Sequence, residues 1–91
     1  MDIDQLIAFE RTVHEGSFSK AAWSLGIAQP TISARIRGLE QTVGGSLFHR
    51  GRTVKLTERG SSFLPYARRV IATLQEGLEA GTVVELEVTD M

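Results

Sequence analysis

Gln29, Thr31, Ser33, Arg35 and Arg37 alternate along one stretch of this 91-residue chain, and Arg50, Arg52 and Lys55 follow soon after. Their chemistry is that of hydrogen-bond donors to anions and to flat polar edges. A guanidinium grips a phosphate or a guanine edge with two parallel bonds, and the carboxamide of Gln29 offers a donor and an acceptor matched to an adenine edge. The net charge of −1 conceals this cluster. Residues 1–28 sum to −2, residues 29–59 to +4, residues 60–80 to zero, and residues 81–91, with Glu85, Glu87 and Asp90, to −3. On charge alone, a merely solvated surface fits as well as a polyanion-binding one.

Other chemistries lack their parts. The chain has no cysteine, so no disulfide frame or zinc finger can form, and His14 and His49 are its only histidines. They fall in separate elements, without the partners that acid–base work requires and without a glycine-rich phosphate loop, so no catalytic residue, metal or cofactor is expected. Ser33 has no histidine near it in sequence and reads as a contact or a cap. No apolar run approaches the roughly 20 residues of a membrane helix, and the Met1-Asp2-Ile3-Asp4 start does not resemble a secretory leader, which makes the expected location cytoplasmic. With 42% hydrophobic and 23% charged residues, the chain has material for one small domain and one long element.

Those elements follow from local signals. Asp2 and Gln5 resemble a capping pair for a first helix, whose stripe is Ile3, Leu6, Ile7 and Val13 with Phe9 or Glu10 at its margin, ending at Gly16. Ser17 caps a short second helix over 18–25, closed by Gly26. A third helix over about 29–44 begins at Gln29, with Pro30 in the one turn that tolerates it, and carries Ile32, Ile36, Leu39 and Val43. Residues 47–50 and 53–56 read as two short strands about a tight turn at Gly51-Arg52. Thr57 caps a long last helix to about residue 80, striped by Phe63, Ala67, Val70, Ile71, Leu74 and Leu78, with a bend expected at Pro65. From Gly81 the tail alternates at Val84, Leu86 and Val88, as a half-buried strand would. Phe18, Phe48 and Phe63 are expected in the core, and Trp23 and Tyr66 are expected to pack, with stacking on bases as the alternative.

Ala22, Gly26 and Ile32 meet the demands of a helix-turn-helix: a small contact residue, a turn with an unusual backbone angle, and an apolar wedge. A plain helical bundle with a glycine turn also satisfies that triplet. The outward face of the third helix adds Pro30, Ala34, Arg37, Gly38 and Gln41, flanked by Ser33 and Arg35. Its small centre, at Ala34 and Gly38, lets the backbone approach another surface. A basic hairpin beside that helix, with Arg50, Arg52 and Lys55, completes a wing able to track phosphates or reach a minor groove. Together these elements imply contact with duplex DNA.

In order and spacing, Ser17-Phe18-Ser19-Lys20-Ala21-Ala22, Gln29-Pro30-Thr31-Ile32-Ser33, Ile36, Leu39-Glu40, Leu47-Phe48-His49-Arg50, Leu56-Thr57, Gly60 and Phe63-Leu64-Pro65-Tyr66-Ala67-Arg68 resemble the LysR-type transcriptional regulators over about residues 1–80. The resemblance implies a mainly α, winged helix-turn-helix fold of three helices and a two-stranded wing, followed by a linker helix that pairs two subunits. It also implies a bacterial regulator with the third helix in a major groove and the wing at a minor groove. Three departures stand out: Ala28 where the family carries a capping serine, Ala34 where it carries an arginine, and a wing one residue short.

The expected organisation is a DNA-binding domain over 1–57, a linker and dimerisation helix over 58–80, and a tail over 81–91 that opens an absent ligand-sensing domain. Any small-molecule effector would act through that absent domain. The expected DNA-binding residues are Gln29, Pro30, Thr31, Ser33, Ala34, Arg35, Arg37, Arg50, Arg52 and Lys55. The dimer seam falls to Phe63, Ala67, Val70, Ile71, Leu74 and Leu78, so the operator is expected to be an imperfect palindrome. A protein-interaction module whose basic segment binds an acidic partner is the alternative, separated from DNA binding by salt slope and sequence preference.

Overall fold

Local capping decides where the helices begin and end. In the computed structural model, which describes residues 1–83, α1 spans Ile3–Glu15, α2 Phe18–Leu25, α3 Gln29–Val43 and α4 Glu58–Val83. The Asp2 carboxylate accepts the Gln5 amide at 2.9 Å, while Gln5 Oε1 accepts the Asp2 amide at 3.4 Å, closing a capping box on α1. Ser17 Oγ accepts the Lys20 amide at 3.2 Å to start α2. Gly26, at φ +69°, ends that helix in the left-handed conformation that a side chain would strain. Ala28 begins α3 without a side-chain cap, and Pro30 takes the first turn. Thr57 Oγ1 accepts the Gly60 amide at 3.0 Å and donates to the Ser46 carbonyl at 2.6 Å, so one hydroxyl both caps α4 and ties it to the preceding loop.

Two element boundaries differ from expectation. The last helix keeps its continuity through Pro65, as expected, but continues past Ala80 to Val83, because glycine at 81 permits a left-handed stop without imposing one. The alternation at Val84, Leu86 and Val88 lies outside the described residues. The wing, expected as two strands, is a loop closed by a single antiparallel bridge between Phe48 and Leu56. The Thr57 amide donates to the Leu47 carbonyl at 3.0 Å and the His49 amide to the Lys55 carbonyl at 2.8 Å. This register is one residue away from that of a two-residue turn at Gly51-Arg52, which would set Phe48 opposite Lys55. Facing Phe48 with Leu56 in a non-hydrogen-bonded pair, where side chains stand closest, keeps both apolar residues on the core side. The core therefore overrides the turn, and residues 50–53 form bends instead of strand.

Phe9 lies at the centre of the core rather than at a margin: it is fully buried, with ring centroids 5.4 Å from Phe48 and 5.9 Å from Phe63. Phe18 meets Phe48 edge-on at 5.5 Å. α1 packs against α2, α3 and α4, so its buried arc is wider than a single stripe. Buried Thr12 within that arc donates from Oγ1 to the Ala8 carbonyl at 2.8 Å, which leaves its hydroxyl satisfied. Gly60 is buried where α4 crosses the wing, and a Cβ there would fall onto the Leu47 carbonyl oxygen. The expected packing of Trp23 and Tyr66 does not occur. Trp23 is 86% exposed, because it lies on the side of α2 away from buried Ala21 and Ala22, and Tyr66 stands on the outer face of α4 beneath the Arg69 guanidinium, 5.3 Å from the ring centroid.

Candidate nucleic-acid interface

The helix pair α2–α3 is set by small residues meeting large ones. Ala22 and Ile32 are both buried, the Gly26 amide donates to the Trp23 carbonyl at 3.1 Å and the Ile27 amide to the Ala22 carbonyl at 3.0 Å. This closes the turn tightly enough to leave the start of α3 exposed at Ala28, Gln29 and Pro30. Ile32, Ile36 and Leu39 bury the inner face of α3, which turns Pro30, Ala34, Arg37 and Gln41 outward, all exposed. At the far end of α3 the Arg59 guanidinium donates to the Val43 carbonyl at 2.8 Å, where a cation complements the helix dipole.

The expected contact residues divide between two flanks of α3. Half-buried Ser33 lies on the flank shared with Arg37, which faces the wing. Thr31 and Arg35, also half-buried, lie on the other flank, the one that carries Gly38 and faces the start of α1. Gly38 is not open for approach to an outside surface. A Cβ added there would stand 2.5 Å from Gln5 Nε2, so its small size makes room for the capping-box glutamine of α1. Ala34 is left as the small residue at the middle of the exposed face.

Between α3 and the wing lies an open groove of about 400 Å³. Phe18, Ile36 and Phe48 form its apolar floor, and Ser33, Arg37, His49 and Arg50 its polar margin. Glu40, also at the groove, is engaged with the backbone: its carboxylate accepts the Leu47 amide at 2.7 Å and anchors the wing to α3. Among the described residues no ion pair holds Arg37, Arg50, Arg52 or Lys55. Arg52 and Lys55 are exposed on the wing but do not line the groove. Sequence reasoning passed over His49 as a contact, although its position next to Arg50 in a basic loop was a usable signal. Free guanidinium groups around a trough, beside an exposed helix face bearing Gln29, suit a sugar–phosphate strand and the base edges next to it.

The expected dimer residues also divide. Ala67 is 1% exposed, and Phe63 and Ile71 are half-buried against the chain's own core. Val70, Leu74 and Leu78 are exposed and continue the apolar stripe of α4 on a side that the subunit itself leaves uncovered. Among the described residues no three His, Asp or Glu side chains gather as a metal would need, and no helix is long and apolar enough to cross a membrane.

Residues 3–61 match the family described as bacterial regulatory helix-turn-helix protein, lysR family. Over 79 residues the chain is 48% identical to a probable RuBisCO transcriptional regulator of Cyanidioschyzon merolae, covering 86% of this chain and 26% of that protein. Over 70 residues it is 44% identical to a probable nitrogen assimilation transcriptional activator of Synechocystis, covering 77% of this chain and 23% of that one. The chain thus spans about a quarter of the length of these curated relatives. Among solved structures, the BenM DNA-binding domain in complex with catB site 1 DNA superposes with a TM-score of 0.85 at 37% identity, covering 90% of this chain and 93% of that one. The CbnR DNA-binding domain in its DNA complex gives 0.83 at 30% identity, with 90% and 95% covered.

Proposed function

From the premise that the chain belongs to the lysR family of bacterial regulatory helix-turn-helix proteins, we propose that it binds duplex DNA sequence-specifically to regulate transcription. The observation that carries this reading is the exposed face of α3 beside a groove margined by unpaired cations, in a fold shared with two domains solved as DNA complexes. α3 lies in the major groove, where Gln29 reads a base edge and Ser33 and Arg37 reach bases or the near strand. Arg50, Arg52 and Lys55 meet phosphates from the wing, at the adjacent minor groove, and Thr31 and Arg35 serve the opposite strand. No step of this work is catalytic, and its setting is the bacterial cytoplasm.

The same reading includes a homodimer. The uncovered stripe of Val70, Leu74 and Leu78 recurs at helical seam spacing, and a second α4 is a cover of matching length and pattern. Two-fold pairing presents two copies of α3 to two half-sites, so the operator is an imperfect palindrome. Selection of duplexes from a random pool, followed by titration at several salt concentrations, tests the whole proposal. The expected result is one enriched palindromic sequence and an affinity that falls steeply with salt. Equal retention of all duplexes, or a stronger preference for an acidic protein, would refute it.

A further inference from the structure

Ala34 occupies an unusual place on α3. At 100° per residue it stands about 170° from the middle of the arc buried by Ile32, Ile36 and Leu39, nearly opposite the core. It is exposed, and its side chain is a single methyl group. A helix laid in a groove with this face inward brings its backbone nearest the bases there. Pro30, one turn earlier, adds neither an amide hydrogen nor a polar side-chain atom to that face. Gln29 lies toward the wing flank, while Arg37 and Gln41 start about 4.5 and 10.5 Å further along the axis.

A methyl group can neither donate nor accept a hydrogen bond. Against a guanine or cytosine edge it would cover polar atoms and leave them unmet, which is costly in a desolvated contact. The thymine C5-methyl is the apolar group that a base pair displays in the major groove. We infer that Ala34 selects a thymine in each half-site by packing its methyl on the thymine C5-methyl. This inference rests on α3 being the helix that enters the major groove. It makes residue 34 a determinant of specificity through apolar contact, between the hydrogen-bonding readers Gln29 and Arg37.

The test removes one methyl at a time from the DNA. In the duplex enriched from a random pool, each thymine is replaced in turn by deoxyuridine, and Kd is measured for the wild type and for Ala34→Gly. At one thymine per half-site the replacement weakens wild-type binding about fourfold, the equivalent of a buried methylene at about 0.8 kcal/mol. The penalty at that thymine disappears in Ala34→Gly, and the penalties at all other thymines persist. Each comparison is a ratio on one protein, so any loss of helix stability from the new glycine cancels. Ala34→Arg, selected against the same pool, exchanges the preference at that pair for guanine. An enriched sequence in which no thymine loses its methyl dependence in Ala34→Gly overturns the inference and leaves the DNA reading intact. A chain that enriches no sequence overturns both.

Discussion

Gly38→Ala sets two effects of known sign against each other. Alanine improves on glycine in a helix interior by about 1 kcal/mol, partly through the unfolded chain. Against this, the new Cβ would stand 2.5 Å from Gln5 Nε2 and 3.4 Å from its Cδ, so only the far end of a flexible side chain must move. Moving it sacrifices the bond from the Asp2 amide to Gln5 Oε1, which at 3.4 Å and in an exposed position is worth about 0.5 kcal/mol. The shorter arm, from the Gln5 amide to the Asp2 carboxylate at 2.9 Å, survives. The expected net gain is about 0.5 kcal/mol, or a rise in Tm of roughly 2–4 °C for a domain of this size. In a Gln5→Ala background the opposing effect is gone, and the same substitution should raise Tm by roughly 4–8 °C. Affinity for the selected duplex should change less than twofold, because the added methyl points at α1. A lower Tm, equal shifts in both backgrounds, or a tenfold loss of DNA affinity would refute this account of Gly38.

Ala28→Ser should raise Tm by roughly 2–4 °C, less than an ordinary cap gives, since Pro30 has no amide to offer and the Thr31 amide already donates to the Ala28 carbonyl at 3.0 Å; an unchanged or lower melt contradicts it. Gln29→Ala should relax base preference at one pair at a cost of about 1–3 kcal/mol, whereas Arg52→Ala should weaken all duplexes about equally; repeating the duplex selection and the titrations with each variant separates the two, and an unchanged selected sequence for Gln29→Ala would displace α3 from the groove. The Val70→Glu, Leu74→Glu double variant should sediment as a monomer at roughly tens of micromolar, where the wild type sediments as a dimer, and retain its helical signal, since both side chains are exposed within the subunit. A monomeric wild type, or a variant that still dimerises, removes the α4 seam from the proposal.

The helices were legible in the sequence because their ends depend on residues only a few positions apart. Asp2 with Gln5, Ser17, Gly26, Pro30 and Thr57 each act on backbone groups within one turn, and each stands where its local chemistry places it. The cluster of cations was equally readable, since charge along a chain needs no fold to be counted. The resemblance carried the family, which the match over residues 3–61 bears out.

What the sequence could not settle was decided by neighbours distant along the chain. Gly38 looked like an opening for an outside surface until Gln5, 33 positions earlier, was found to fill the space beside it. The wing's register depended on seating Phe48 and Leu56 together on the core side rather than on the turn residues between them. The apolar stripe of α4 read as continuous, yet the chain's own core buries it at Ala67 and leaves Val70, Leu74 and Leu78 exposed. Trp23 looked like core by type and is solvent-facing by position. Hydrogen-bonding caps act over a turn of helix, but burial is a property of the assembled surface. Residue type and spacing therefore determined which helices form, and tertiary packing alone decided which of their faces remain free to meet DNA or a second chain.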